Sequence, residues 1–555
     1  MSDRHFAFWP KRMPHSLTLP ETNVYYNLEV SATRYPEKTA VIYYGAEISY
    51  RRLAEEVNHL AGYLEHLGVS KGDRILLYMQ NCPQFVVAYY AILRANAVAV
   101  PINPMNVTEE LRYYVQDSDA KVAFSGQERY NQLAPLIGET SLKHVVVATY
   151  ADYLPQKPDM PLPDIVTEAR TTLQGSGAIP WSDALREQYT PGPLTAGPAD
   201  LAVLPYTSGT TGKPKGCMHT HHSVQATLVG AAHWVSLTPN SVVLTTLPLF
   251  HVTGMQHSMN APIFEGSSMV LMTRWDRKLA AELIQRYGCT HWTNISTMVI
   301  DFLAQPNIQE YDLHTLMVVG GGGAPLPQAV GERLYELTGI RYMEGYGLSE
   351  SISQTHFNPP DRPKLQCLGI PAFDTDSRVI DPQTLEELGP NQVGEIISSG
   401  PQILQGYWQK PEETAEVFLI RDGKRFLRTG DLGMYDEEGY FFMVDRLKRM
   451  INASGFKVWP AEVESILYKH PAVQEACVIA SMNPRRGETV KAVVVLRDEY
   501  KGKVSPEEII EWSKGQMAAY KYPRIVQFTD ALPRSGTGKI LWRELQVQEN
   551  AATSP

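Results

Sequence analysis

From about residue 40 to residue 350 the sequence alternates short apolar runs with longer amphipathic stretches, and that rhythm leaves few folds open. RILLYM (74–79), AVAVPI (97–102), KVAFSG (121–126), HVVVAT (144–149) and LAVLPY (201–206) read as buried strands. SYRRLAEEVNHLAGYLEHLG (49–68) and QFVVAYYAILRA (84–95) carry apolar residues at helical spacing. Strand then helix, repeated, predicts an α/β architecture with stacked subdomains and mostly parallel sheets. A chain of 555 residues can bury several such cores. With 43% hydrophobic and 20% charged residues it falls outside the disordered class. The Pro- and Gly-rich stretch from Pro155 to Pro198 reads as a surface excursion.

The end of the chain differs in charge. Residues 446–555 hold 17 Lys+Arg against 12 Asp+Glu, while the preceding 445 residues hold 33 against 48. Such an asymmetry predicts a separate small domain able to approach something anionic. AEVESILYKH and SPEEIIEWSKGQM read as its helices and AVVVLR as a strand. The net charge of −10 argues against a nucleic-acid partner, whose binding depends on neutralising phosphates. Five scattered cysteines without a CxxC pair read as reduced thiols in a cytoplasm. The longest apolar run, Phe85 to Leu93, is far short of the roughly 20 residues that span a bilayer, and no signal peptide is expected. A homodimer is compatible with these features.

The stretch Tyr206-Thr207-Ser208-Gly209-Thr210-Thr211-Gly212-Lys213-Pro214-Lys215-Gly216 carries the strongest chemical signal. Its glycines let backbone N–H groups approach a phosphate, and its hydroxyls and lysines add donors and positive charge. A Walker A loop does not fit, because Thr207 stands where its first Gly belongs and Pro214 follows the Lys. His219, His221 and His222 cluster just beyond, without a Cys or carboxylate to complete a metal site. Leu348-Ser349-Glu350 lacks the glycines of a hydrolase nucleophile elbow.

The loop resembles the signature of the acyl-adenylate-forming enzymes, the group that includes acyl-CoA synthetases, luciferases and peptide-synthetase adenylation domains. Further motifs follow in that family's order over nearly the whole chain. Gly320-Gly321-Gly322-Gly323-Ala324-Pro325 resembles the segment lining the adenine and acyl pocket. In Glu344-Gly345-Tyr346-Gly347-Leu348-Ser349-Glu350 the resemblance implies that Tyr346 stacks on adenine and that Glu350 holds Mg²⁺, with Thr207 as its second contact. Asp431, in Arg428-Thr429-Gly430-Asp431, and Arg446 are implied as ribose contacts. Lys448 is implied as a hinge, Gly455-Phe456-Lys457 as the loop that serves thioester formation, and Lys539 as the adenylation lysine.

The resemblance implies a large domain over 1–444, a hinge over 445–449 and a small mobile α+β domain over 450–555. It also implies a two-step ligase: a carboxylate and MgATP give acyl-AMP and pyrophosphate, and coenzyme A then takes the acyl group. The chain has no room after Lys539 for a carrier domain, which favours free coenzyme A. An acyl-AMP ligase, a luciferase-like monooxygenase and a nucleotide sensor without turnover stand as rivals. Pro248-Leu249-Phe250-His251-Val252-Thr253-Gly254-Met255 resembles the segment beside the acyl tunnel of fatty acyl-CoA synthetases. His251 would lie near the carboxylate, while Met255 and Gly320, Gly321 and Gly322 would line the pocket. A medium- or long-chain fatty acid is the expected substrate, and an aryl or alicyclic acid the alternative.

Overall fold

A computed structural model describes residues 4–11, 13–175, 177–207, 213–446, 449, 451–453, 456–458, 460–483, 487–534 and 540–553. The chain forms two compact units. The first comprises residues 1–377, 398–427 and 438–440, and the second 378–397, 428–437 and 441–555. The boundary expected at 444/445 therefore falls inside the second unit. There the strand Phe441–Arg446 pairs antiparallel with the stretch 431–435 that precedes it.

The first unit is α/β. Among its described residues, seven strands pair in the order His219–Thr220, Leu201–Val203, Val98–Pro101, Arg74–Tyr78, Val122–Gly126, His144–Ala148 and Ala178–Pro180. All neighbours but the first pair are parallel. A second sheet of nine strands has a parallel centre built from Thr39–Tyr43, Ser268–Leu271, Val242–Thr245, His291–Asn294, Val318–Gly321 and Met343–Leu348. Antiparallel strands close both of its edges. Parallel strands are covered on both faces, which is why runs such as RILLY and HVVVA are apolar throughout instead of alternating.

The helices start where local chemistry puts them. Tyr50–His66 begins after Ser49, whose hydroxyl accepts from the Arg52 N–H at 3.2 Å. Pro83–Arg94 opens on a proline at its first position and is almost wholly buried, as its apolar sequence requires.

Two expectations need correction. The stretch 155–198 is not only a surface excursion: Ala178–Pro180 adds a parallel edge strand, and Val166 and Trp181 are buried in the core. Proline is tolerated there because an edge strand has one unpaired side. LAVLPY is not one strand either. It ends at Val203, and Tyr206–Thr207 pairs instead with Lys215–Gly216.

The second unit is smaller and α+β. Val473–Asn483 and Gly487–Leu496 form a long antiparallel pair, flanked by Ile451–Ala453 and Ile525–Phe528. Helices Pro460–Leu467 and Pro506–Lys514 supply buried Val463, Leu467 and Ile509 to its core. No described helix is long and apolar enough to cross a membrane.

Candidate active site

Three motif segments of the first unit follow strands of the nine-stranded sheet. Leu247 to His251 follow the strand Val242–Thr245, Gly322 to Pro325 follow Val318–Gly321, and Ser349–Ser351 follows Met343–Leu348. The first two are carboxyl ends of parallel strands, where α/β sheets offer ligand crevices, and the third follows residues 345–348, which pair antiparallel with Ser353–Phe357. Asn81, from the end of the other sheet, braces the first segment. Its Oδ1 accepts from the Leu249 N–H at 2.8 Å and its Nδ2 donates to the Leu247 carbonyl at 2.9 Å.

Thr207 and Lys215 are paired residues of a short antiparallel ladder, one on each side in sequence of the segment expected to take phosphate. Ser208, Gly209, Thr210, Thr211 and Gly212 lie outside the described residues. Lys213 is exposed, with its ammonium 5.7 Å from the Tyr113 ring centroid. Beside this ladder, the Asp117 carboxylate accepts from Tyr206 at 2.6 Å and pairs with Lys410 at 3.4 Å.

The strand leaving the loop reaches directly to the Glu350 segment. His219 is fully buried, and its Nε2 donates to the Ser349 carbonyl at 2.7 Å. Burial pushes its pKa down to about 4, so the ring is neutral. His221 is also buried and pushed down to about 4, and its Nδ1 accepts from the Val24 N–H at 3.2 Å. His222 is exposed. The first two histidines thus serve as buried braces. Glu350 is half-buried, and its Oε1 accepts from the Tyr407 hydroxyl at 2.9 Å. Two residues on, Ile352 (φ 46°) and Ser353 (φ 121°) occupy backbone regions that a side chain disfavours. Such strain gathers where a turn is held in place by its surroundings.

Glycine is demanded here by packing. A Cβ on Gly321 would lie 1.8 Å from the Asn294 carbonyl oxygen, and one on Gly347 would lie 1.5 Å from that of Ser353. At Gly320 and Gly322 the obstacles are the carbonyls of Met343 and Gly345, each at 2.5 Å. Gly323 differs, with φ +86° and open space. Gly320 and Gly321 are the last residues of a strand, and their bareness admits neighbouring backbone. Ala324 is tied down by Ser296, whose hydroxyl donates to its carbonyl at 2.6 Å.

Glu344 faces inward. Its Oε1 accepts from the N–H groups of Leu326 and Gln366, both at 3.0 Å, behind the Gly323-Ala324-Pro325 turn. Burial pushes its carboxyl up to about 7. Gly345 pairs with Phe357, and the buried Tyr346 ring lies 5.7 Å from that of His356.

His251 is exposed at the start of the helical turn Val252–Met255, where its Nδ1 accepts from the Thr253 N–H. Met255 is fully buried. The turn continues into a π-helical segment, Gln256–Asn260, whose Ser258 carbonyl accepts from the Thr245 hydroxyl at 3.1 Å. A π turn of this kind is frequent at functional sites. His257 lies on it, with Nε2 3.2 Å from the Ser353 hydroxyl oxygen and its pKa pushed down by burial to about 4.

In the second unit, Glu395 holds the Arg428–Asp431 stretch of the strand Lys424–Tyr435. One carboxylate oxygen pairs with Arg428 at 2.6 Å, and the other accepts from the Gly430 N–H at 3.1 Å. Asp431 is buried and sits opposite Arg446 in the paired strands. Asp445 Oδ2 accepts from the Ala461 N–H at 2.7 Å, and Arg449 pairs with Glu464 on the same helix. Lys448, Gly455 and Lys539 lie outside the described residues, as do the side chains of Arg446, Phe456 and Lys457.

Asn81, Tyr407 and Glu395 were not singled out in the sequence, and His219 stood out there only as one of three clustered histidines. Each acts on a motif residue far along the chain, and the only local signal was proximity of His219 to the phosphate loop. The donors near the loop are hard oxygens, and no described cluster of three or more His, Cys, Asp or Glu side chains is placed to hold a metal. That chemistry fits an ion shared between Glu350, Thr207 and substrate phosphates.

Comparison with known proteins shows the family. The AMP-binding enzyme family matches residues 28–408, and the AMP-binding enzyme C-terminal domain matches residues 462–539. A long-chain-fatty-acid–CoA ligase of Bacillus subtilis is 35% identical over 98% of this chain and 97% of its own. A protein of the same description from Escherichia coli is 34% identical over 93% of each chain. The crystal structure of ATP-bound MatB from Rhodopseudomonas palustris superposes with a TM-score of 0.84 at 27% identity, covering 96% of this chain and all of that one. The chain belongs to the AMP-binding enzyme family, as an acyl-CoA synthetase: an AMP-forming acid–thiol ligase.

Proposed function

We propose that this ligase activates a medium- or long-chain fatty acid with MgATP and passes the acyl group to coenzyme A. The observation that carries the reading is that His251, Gly323 and Glu350 all follow strands of one sheet at its carboxyl-end side, with Met255 buried one helical turn beyond His251. The names of the Bacillus subtilis and Escherichia coli relatives support the fatty acid.

In this reading the phosphate loop from Thr207 to Lys213 receives the triphosphate, and Tyr346 lies along the adenine with Gly323, Ala324, Pro325, Gly345, Gly347 and Ser349 around it. Bound Mg²⁺ would neutralise phosphate charge, held by Glu350 and Thr207. Asp431 and Arg446 take the ribose, and Lys539 brings a positive charge to the carboxylate and α-phosphate as negative charge builds up there. His251 stands between the carboxylate and the incoming thiol. Residues 1–444 act as the large domain and 450–555 as the small one, turning about Lys448 within 445–449 so that Gly455, Phe456 and Lys457 replace Lys539 for the second step. The buried free thiols suit a reducing cytoplasm.

The test is CoA-dependent AMP release from MgATP over acids from acetate to oleate, with benzoate and cinnamate. An optimum among C8–C18 alkyl acids is expected. An optimum on a ring acid would replace the substrate, and adenylate formation without use of CoA would overturn the two-step reading.

A further inference from the structure

The carboxylate of Glu350 is not positioned by its own segment alone. Its Oε1 accepts from the Tyr407 hydroxyl at 2.9 Å across 57 residues of sequence. Tyr407 is itself fixed on several sides. Its backbone forms an antiparallel bridge with Cys217, and its N–H donates to the Thr414 hydroxyl at 2.9 Å. The Lys215 ammonium lies 4.9 Å from the centroid of its ring, and Lys215 is buried. A cation held over a phenol face in a dry setting is a favourable contact, and it strengthens the hydroxyl as a donor. Lys215 is also the ladder partner of Thr207. Thr207, Lys215, Tyr407 and Glu350 thus form one connected path joining the two oxygen donors that the proposed function assigns to Mg²⁺. Meanwhile the Glu350 carbonyl accepts from the Leu404 N–H at 2.9 Å, so the loop bearing Tyr407 grips the same residue twice.

We infer that Tyr407 is the positioning residue for the metal-binding carboxylate: its hydroxyl holds Glu350 Oε1 so that the carboxylate meets a divalent cation on the nucleotide phosphates in a fixed orientation. Lys215 and the Cys217 bridge keep the ring in register with the phosphate loop. The inference rests on the reading of Glu350 as a metal contact, and its test separates the two.

The measurement is binding of Mn²⁺, as a paramagnetic stand-in for Mg²⁺, to the full chain saturated with an ATP analogue blocked at the α–β bridge. Free Mn²⁺ is followed by its electron paramagnetic resonance signal. Tyr407→Phe should weaken Mn²⁺ binding on the order of 10-fold, as loss of an outer partner of a metal ligand does, while metal-free binding of the analogue changes less than about 2-fold. Tyr407→His, which keeps a ring N–H donor, should bind Mn²⁺ more tightly than Tyr407→Phe. In a Glu350→Gln background, adding Tyr407→Phe should have no further effect.

If Glu350→Gln weakens Mn²⁺ binding and Tyr407→Phe does not, the positioning role is overturned and the metal reading stands. If Glu350→Gln binds Mn²⁺ as the wild type does, the metal reading itself falls, and this inference with it. Additive losses in the double variant would put the hydroxyl's action elsewhere and overturn the role. Should Tyr407→Phe lose cooperative thermal unfolding, Tyr407→His alone decides: a loss of Mn²⁺ affinity that persists in the Glu350→Gln background counts against the role, and affinity retained through the ring N–H, or a loss confined to the Glu350 background, supports it.

Discussion

The strand Met343–Leu348 has a carboxyl group near each end, and the two occupy opposite settings. Glu344 is 5% exposed, accepts from two backbone N–H groups and is pushed up to about 7 by burial. Glu350, just past the other end, is half-buried and shares one oxygen with a phenol. One motif therefore contains a buried clamp on the backbone of Leu326 and Gln366 and a half-buried carboxylate that the proposed function gives to the metal. Membership of a motif does not assign a role; the partners of the side chain do.

That contrast can be broken in three ways. Glu350→Gln should lower acyl-adenylate formation by roughly 10²–10³-fold, as loss of one preorganised charge contact does. The unfolding transition should move little. Glu344→Gln should lower it by less than about 10-fold, because an amide oxygen can still accept from Leu326 and Gln366. Equal losses, measured as pyrophosphate release without CoA, would erase the distinction.

Glu344→Ala should instead damage the fold. It leaves two buried N–H groups without an acceptor and opens a cavity, which costs about 3 kcal/mol in urea denaturation. A change below about 0.5 kcal/mol would show that the clamp is decorative.

The smallest effect is in the pH dependence of stability. The native pKa of Glu344, about 7, lies above its ordinary value of 4.5, so the native state favours the protonated form. The stabilisation is complete below pH 4.5 and is lost as pH rises through 7. Between pH 5 and pH 8 the wild type should therefore lose about 2 kcal/mol relative to Glu344→Gln. His219 works in the other direction: its native pKa of about 4 lies below 6.5, so its contribution is lost as pH falls from 6.5 towards 4. The acid side of the stability curve should be the same in both proteins.

Much of the fold was legible because parallel strands covered on both faces must be apolar throughout, as Arg74–Tyr78 and His144–Ala148 are after their first residues. Helix starts at Ser49 and Pro460 were legible for a local reason, a cap and a proline at the first position. Ala178–Pro180 was hidden among Pro and Gly because three residues on an edge carry too little pattern to stand out. The motif glycines were visible, but their cause was not. The obstacles to a side chain at Gly321 and Gly347 belong to Asn294 and Ser353, which only the paired strands bring near. Likewise His219 and Ser349 are 130 residues apart, and nothing between them announces a hydrogen bond.

The crowding around those glycines bears on how the site can be mapped by substitution. An alanine walked along Gly320–Gly322 or placed at Gly347 would collide with a neighbouring strand's carbonyl before it met any nucleotide or acyl chain. Inactivity in such variants would report a sheet pushed apart. Only Gly323, which faces open space, offers room for a methyl group there, and its positive φ taxes even that change. If Met255 lines the acyl pocket as proposed, substitutions there change a side chain that already exists and leave the strands in place.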